Sequence, residues 1–389
     1  MGPDTNLEVK ILDLEKVYNG RLRAVRFINF GLAYGECFAL LGVNGAGKSS
    51  TFKVLTGETR PSGGEVKIHG FDAVAQFDSL RRFIGYCPQT DTLFPDLTVT
   101  EHLFFHAALK QIPKRLRPEL VEKQLREMDL IPYRTVRSKE LSGGNKRKLC
   151  VAVAMLGNPP IVLLDEPSTG IDPKARRFMW NVISRISKMR KKSAVVLTTH
   201  SMEEAEALST NIGIMVKGQF KCLGSAQHLK SKFGNGYELD IKVKEPTGAE
   251  LEHVFSEEIH RTGAVKSIDE ANNLLQRWGF TPRVDQHSNG IGADIKKKSA
   301  SVEQLYLWGY VEHHGELLLR DLKQCFGESE LVEHFFAAFK FRVKWGEKRF
   351  PIGAIFSFLE QGRKTYAIAE YSVSQTSLEQ IFNTFAQEG

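Results

Sequence analysis

The segment Gly42-Val43-Asn44-Gly45-Ala46-Gly47-Lys48-Ser49 follows the pattern G-x-x-x-x-G-K-[ST]. Glycines at these intervals let successive backbone N–H groups turn inward on phosphate oxygens, and a helix starting at the end of the loop adds its positive pole. In such a cradle Lys48 reaches the β and γ phosphates of ATP. Ser49, followed by Ser50, offers a hydroxyl to Mg2+, a hard cation that takes oxygen ligands from protein, water and phosphate. Further along, Asp165 and Glu166 stand where the apolar run Ile161 to Leu164 ends. Two acids at a strand end are ordinarily just solvated. With a phosphate cradle upstream they acquire separate uses, Asp165 in holding the water shell of the metal and Glu166 in polarising a water for attack on the γ phosphate. His200, after the apolar run Ala194 to Thr198, is placed to touch that phosphate and sense its loss, and Gln89 would bind the metal or the attacking water through its amide. Leu141-Ser142-Gly143-Gly144-Asn145 precedes a helical segment, which makes Ser142 an N-cap and leaves backbone donors able to hold a phosphate.

These groups need a strand, a glycine loop and a helix in that order. Cys37 to Leu41 reads as a buried strand, and Ser50 to Leu55 has helical character. Ile161 to Leu164 and Ala194 to Thr198 read as two further buried strands, and Pro173 suits the first turn of a helix running to about Met189. Strands alternating with helices predict a mostly parallel sheet. Ahead of the cradle, Val9 to Leu12 and Arg21 to Phe30 read as antiparallel strands turned at Tyr18-Asn19-Gly20. Residues from about 90 to 157 are patterned as helices. After Gly224 the character shifts. Strands Tyr237 to Val243, Phe339 to Val343 and Tyr366 to Val373 alternate with helices Ala249 to Arg261, Ile352 to Glu360 and Ser377 to Phe385, while Thr281 to about Gly327 is poorly patterned. The expected division is an α/β unit over 7–234, with a helical subdomain about 90–157, and a small α+β unit over 235–389 with an insertion about 281–327.

A chain of 389 residues with 42% hydrophobic content is too long for one core and rich enough for two. The net charge of +7 suits an anionic partner, and ATP, a lipid surface and nucleic acid all qualify. Five scattered cysteines without a C-x-x-C pair suggest neither a disulfide framework nor zinc, and a reducing cytosolic setting fits. No stretch approaches the ~20 apolar residues of a membrane span. Runs such as Arg190-Lys191-Lys192 and Lys296-Lys297-Lys298 read as solvated faces, with contact to anionic lipid as the alternative.

Taken in order, Gly42 to Ser49, Gln89, Leu141 to Asn145, Asp165-Glu166, Ser168 to Asp172 and His200 resemble the motif set of the ABC ATPases. The resemblance implies a P-loop NTPase with a RecA-like core, an antiparallel β subdomain and a helical subdomain. It implies that Tyr18 stacks on adenine, and that Leu141 to Asn145, through Ser142 and Gly144, act in trans on ATP held by a second nucleotide-binding domain. Ser168, Gly170 and Asp172 would carry communication between the two domains. Within the family, Asn145-Lys146-Arg147-Lys148-Leu149, Ser168 to Arg177, Leu223 to Gly234 and the closing Tyr371 to Phe382 resemble the second nucleotide domain of the A subfamily, the lipid-linked transporters. That likeness implies a ferredoxin-like regulatory domain at the end of the chain. It also implies transmembrane domains docking near 90–106, membrane association on the cytosolic face through partners, and no nucleic-acid role. In the docking stretch, Phe94, Leu97, Leu103, Phe104 and Phe105 have two readings, a docking surface or the packing of the helical subdomain. A soluble ABC ATPase on DNA or the ribosome would show a long heptad insertion or a second glycine loop, and neither is present.

Overall fold

The computed structural model describes residues 7–189, 193–234, 236–248, 267–281, 291–296, 300–346 and 350–387, with Leu251, Val265 and Val284. The chain divides into two compact units, one reaching Lys232 and taking in the segment from Leu378, the other spanning Phe233–Ser377.

The first unit is built on two sheets. In the larger, β3 (Cys37–Gly42), β6 (Ile84–Cys87), β7 (Ile161–Asp165), β8 (Ala194–Thr199), β9 (Asn211–Val216) and β10 (Gln219–Gly224) take the order β10-β9-β3-β8-β7-β6. All neighbours run parallel except the β9–β10 hairpin. Every residue of β3, β7 and β8 is buried, as continuous apolar runs require when both faces of a sheet are covered. The smaller sheet is antiparallel, ordered β2-β1-β4-β5, from β1 (Leu7–Tyr18), β2 (Leu22–Ala33), β4 (Gly63–Ile68) and β5 (Phe71–Asp72). One core joins them, with Phe30 stacked on Phe38 at 4.4 Å.

Helices Val99–Leu109, Arg117–Glu127 and Gly143–Met155 fall within the stretch patterned as helical. The first is fixed by a Thr98 and Glu101 capping box and by fully buried His102. His102 Nε2 accepts from the Phe94 N–H at 2.9 Å, so its proton sits on Nδ1 and is donated to the Thr98 carbonyl at 3.0 Å. Leu103 is fully buried, so for it the packing reading holds, while Phe94, Phe104 and Phe105 are exposed.

Among the described residues the second unit holds β11 (Gly236–Val243), helices Ile268–Arg277, Ile291–Lys296 and Val302–Phe326, β12 (Ser329–Phe335), β13 (Ala338–Lys344), helix Ile352–Gln361 and β14 (Ile368–Gln375). Its sheet is ordered β12-β13-β11-β14 with every neighbouring pair antiparallel. Tyr237, Leu239, Ile241, Phe339, Phe341 and Val343 line the side packed on the helices.

Three features depart from the sequence reading. The poorly patterned stretch 281–327 contains a helix of 25 residues, started by a Ser301 and Gln304 capping box and ended at Gly327 with φ 85°. The final helix Leu378–Gln387 belongs to the first unit, where Leu378, Ile381 and Phe382 are buried and the helix meets helix Met202–Leu208 and β9. The strand expected from Tyr366 begins at Ile368, because Tyr366 is still bonded into the preceding turn through Gly362. The helix expected over Ala249 to Arg261 lies outside the described residues save for Leu251.

The close approach of β6 to the helix Gly143–Met155 yields one test. A Cβ on Gly85 would stand 2.1 Å from the Ala154 carbonyl oxygen and 2.8 Å from the Pro159 ring. Gly85→Ala is predicted to destabilise the first unit by about 1–3 kcal/mol or more through overpacking, seen as a lower Tm, while Gly143→Ala, which meets open space, leaves Tm nearly unchanged.

Candidate functional site

Parallel strands deliver the chemistry to one edge. Gly42 ends β3, Asp165 ends β7, His200 comes directly after β8, and Gln89 lies two residues beyond β6. The register pairs Leu41 with Thr199, Asp165 with Thr198 and Cys87 with Leu164, so the four carboxyl ends lie level, where α/β sheets collect ligands.

At β3 the chain turns through Gly45 (φ 80°) and Gly47 (φ 108°) into the helix Lys48–Leu55. Gly47 permits no side chain, since a Cβ would meet the Ala24 carbonyl oxygen at 2.4 Å. Val43, Asn44 and Gly45 are exposed, so the loop opens to solvent, with Ala46 buried beneath it. Lys48 folds back into the loop, only 6% exposed, and donates to the carbonyls of Gly42 at 2.6 Å and Val43 at 3.2 Å. Burial holds its pKa below the usual lysine value, against the pull of Glu166 and Asp165.

The β7 end supplies two different carboxylates. Asp165 accepts from the Thr198 hydroxyl, and burial lifts its pKa above the ordinary aspartate value, with Glu166 adding to the effect. Glu166 turns in a left-handed conformation, φ 46°, and its N–H reaches the carbonyl and hydroxyl of Thr198 at 3.2 and 3.0 Å. Its carboxylate accepts from the Gln89 amide at 3.1 Å and the Thr169 hydroxyl at 3.2 Å, and His200 Nδ1 lies 3.5 Å from its other oxygen. Glu166 is 7% exposed, whereas the His200 ring is 57% exposed and faces outward.

The loop Leu141 to Asn145 is assembled with other neighbours. Ser142 caps the helix Gly143–Met155 by accepting from the Asn145 N–H, and a Cβ on Gly144 would meet Ala175 at 3.2 Å and the Asp172 carboxylate at 3.5 Å. Asp172 in turn caps the helix Pro173–Ser184, and the Ala175 and Lys174 N–H groups hold its carboxyl below the usual range. Ser168 is buried, while Gly170 stands exposed beside this segment. Tyr18 closes β1, with the Lys16 ammonium 4.8 Å above its ring. The structure thus brings Lys48, Gln89, Asp165, Glu166 and His200 together, and groups Ser142 and Gly144 with Asp172.

Three contributors escaped the sequence reading. Thr198 and Thr169 look like any β-branched residue at a strand or loop end. Arg147 stands out in the sequence only as part of the subfamily-like segment Asn145 to Leu149, flanked by Lys146 and Lys148, yet it is 3% exposed.

A phosphate cradle at the end of a central parallel strand, with two acids on a nearby strand, defines the class as a P-loop nucleotide-binding domain. The comparisons agree. Residues 25–169 match the family model described as ABC transporter. The chain is 38% identical over 387 residues to the phospholipid-transporting ATPase ABCA3 of Rattus norvegicus, covering 98% of this chain and 19% of that one. It is 47% identical over 239 residues to the retinal-specific phospholipid-transporting ATPase ABCA4 of Homo sapiens, covering 61% of this chain and 10% of that one. A solved structure of an ATP-binding subunit of an ABC transporter superposes with a TM-score of 0.54 at 28% identity, over 65% of this chain and 99% of that one. The chain carries an ABC transporter nucleotide-binding domain and is homologous to A-subfamily members along nearly its whole length. It spans about a fifth of the length of the first of these relatives. Among the described residues no helix is long and apolar enough to cross a membrane.

Asp165 allows a stability test. Its raised folded-state pKa means that the ionised form at neutral pH costs stability, a cost absent below the unfolded value of about 4 and growing as pH rises through the folded value. Asp165→Asn is predicted to raise the Tm of the nucleotide-free protein at neutral pH by about 2–4 °C per kcal/mol relieved, with the gain vanishing on acidification. Calorimetry across pH would show it.

Proposed function

We propose that this chain binds and hydrolyses ATP as one half of a head-to-tail pair of nucleotide domains in an A-subfamily transporter, and that closure and reopening of the pair moves a lipid or another amphipathic molecule across a membrane. The observation that carries the reading is the division of the phosphate-directed groups between two places. Lys48, Gln89, Asp165, Glu166 and His200 gather at one edge, while the Ser142 loop caps its own helix and has Ala175 and Asp172 as neighbours. A loop with donors for phosphate whose neighbours are Ala175 and Asp172 suits a second subunit's nucleotide.

In this reading Gly42 to Ser50 wrap the triphosphate, and Lys48 gives up its carbonyl partners for the β and γ phosphates. Tyr18 stacks on adenine, with Lys16 on one of its faces. Among the described residues no cluster of three or more His, Cys, Asp or Glu side chains could hold a metal alone. The hydroxyl of Ser49, the carboxylate of Asp165 and the amide oxygen of Gln89 are instead a sparse set of hard oxygens, which fits Mg2+ completing its shell with water and phosphate. When bound, Mg2+ neutralises charge on the β and γ oxygens. Glu166, oriented by Gln89 and Thr169, accepts a proton from the attacking water. His200, beside Glu166 and open to solvent, contacts the γ phosphate, and the Ser142 loop of the opposing domain supplies donors from the other side. Ser168, Gly170 and Asp172, adjoining that loop, pass the state of one site to the other.

With helices Ile268–Arg277 and Ile291–Lys296 set aside as an insertion, the order β-α-β-β-α-β with antiparallel neighbours in the second unit supports a ferredoxin-like regulatory domain. Exposed Phe94, Phe104 and Phe105 support docking of transmembrane domains near 90–106, and so a place on the cytosolic face through those partners. The names of the relatives, phospholipid-transporting ATPases, support the lipid substrate.

Glu166→Gln tests the chemistry. ATP binding should persist, because no contact to the cradle is lost, while hydrolysis should fall by about 10³-fold or more, the usual scale for removing a general base. Single-turnover hydrolysis at high protein concentration measures this, and turnover within a few-fold of wild type would remove Glu166 from the role.

A further inference from the structure

Arg147 bonds to carbonyls on two separate segments, and the chemistry above makes no use of it. It lies one turn into the helix Gly143–Met155, five residues after Ser142. Its Nε donates to the Pro167 carbonyl at 3.1 Å. Nη2 donates to the carbonyls of Asp165 at 2.6 Å and Glu166 at 2.9 Å. Nη1 donates to the carbonyls of Pro88 at 2.6 Å and Gln89 at 3.2 Å, and lies 3.5 Å from the Asp91 carboxylate. Asp91 also accepts from the Cys150 thiol, three residues further along the same helix. A planar guanidinium with five N–H donors in a fixed fork can serve carbonyls on two separate segments at once, and an ammonium cannot.

Keeping this cation out of water is costly unless every donor is met, and the partners that meet it are chiefly the backbone oxygens of the residues that hold Glu166 and Gln89. Glu166 and Gln89 are themselves joined through their side chains at 3.1 Å. The cycle therefore closes, running from the helix to Arg147, to the Asp165–Pro167 corner, to Glu166, to Gln89, and back to Arg147 through the Pro88 and Gln89 carbonyls.

We infer that Arg147 is a positioning residue that locks the helix bearing Ser142, Gly143 and Gly144 to the Asp165–Glu166 corner and the Gln89 loop. The half-site that the chain lends and the half-site that it keeps then move as one rigid piece. The inference rests on the head-to-tail reading above and goes beyond it, since that reading assigns Arg147 nothing. Its consequence is asymmetric. Loosening Arg147 misplaces the base and the loop without touching the cradle, so nucleotide affinity survives while the chemical step and pairing suffer.

The experiment uses the full chain and three backgrounds. In Glu166→Gln alone, ATP should drive pairing seen by light scattering, and failure of pairing there would count against the head-to-tail reading without bearing on Arg147. Arg147→Lys keeps the charge but loses the fork. It should retain ATP affinity within about two-fold while single-turnover hydrolysis drops by about 10²-fold, the scale of a misplacement near 1 Å. Combined with Glu166→Gln, it should weaken ATP-driven pairing by about ten-fold. Asp91→Ala removes the carboxylate beside Nη1 and leaves the Pro88 and Gln89 carbonyl bonds in place, so it loosens Arg147 more mildly, serves where the lysine variant fails to fold, and should slow hydrolysis about ten-fold with unchanged ATP affinity. Either folded variant hydrolysing and pairing like its parent, with only a lowered Tm, would overturn the proposal and leave Arg147 a structural residue.

Discussion

Two acids, a lysine and an arginine share a water-poor strip at the carboxyl edge of β7 and β3, and the first unit is organised around giving them hydrogen-bond partners there. Asp165 is buried, Lys48 is turned back onto its own loop, and Arg147 is covered by carbonyls. Ion pairs alone would not justify this arrangement, because desolvation removes most of what Coulomb attraction returns. Backbone oxygens and the Thr198 hydroxyl complete the shells of the charges, and the apolar strands beneath keep water from reaching in behind them. The cost that remains is visible in the displaced pKa values of Lys48 and Asp165, both caused first by burial. A site carrying such a residual cost is relieved by a ligand that brings opposite charge to each group, which in the proposed reading is phosphate for Lys48 and Mg2+ for Asp165.

Much of this was legible in the sequence because parallel sheets write themselves as short, uninterrupted apolar runs. Cys37 to Leu41, Ile161 to Leu164 and Ala194 to Thr198 each became a fully buried strand, and the residues at the carboxyl end of each run are forced to the same edge. The order of motifs along the chain therefore specified a convergence in space. Side-chain supports were not legible. Thr198 and Thr169 matter through one hydroxyl each, and nothing local distinguishes them from threonines chosen for β propensity. Arg147 was hidden by its company, since Lys146 and Lys148 flank it.

In the second unit the failure has a different cause. The helix Val302–Phe326 carries Gly309 and Gly315, residues that weaken a helix locally and blur its apolar stripe. Both are there for close approach. A Cβ on Gly315 would press 2.4 Å from the ring of Phe339, and one on Gly309 would press 2.2 Å from Leu275. The helix is thus set by tertiary packing against residues distant in sequence, which a reading along the chain cannot collect. The final helix shows the same dependence, since Leu378, Ile381 and Phe382 are buried by the first unit and not by the strand that precedes them in sequence.

The left-handed turn at Glu166 ties the buried charges to the proposed chemistry. A non-glycine residue at φ 46° is uncommon and is kept only where its surroundings determine it. Here the Glu166 N–H is held by Thr198 from β8, its carbonyl by Arg147 from the helix Gly143–Met155, and its carboxylate by Gln89 and Thr169. Four separate segments fix one residue, so its side chain is aimed before any substrate arrives, and the strain is borne by the fold. Pre-orientation of this kind lowers a barrier by removing the reorganisation that a free carboxylate in water would undergo. It also makes the aim sensitive to any of the four supports, which is how the position of a helix end one turn away from Arg147 can bear on a carboxylate at the end of β7.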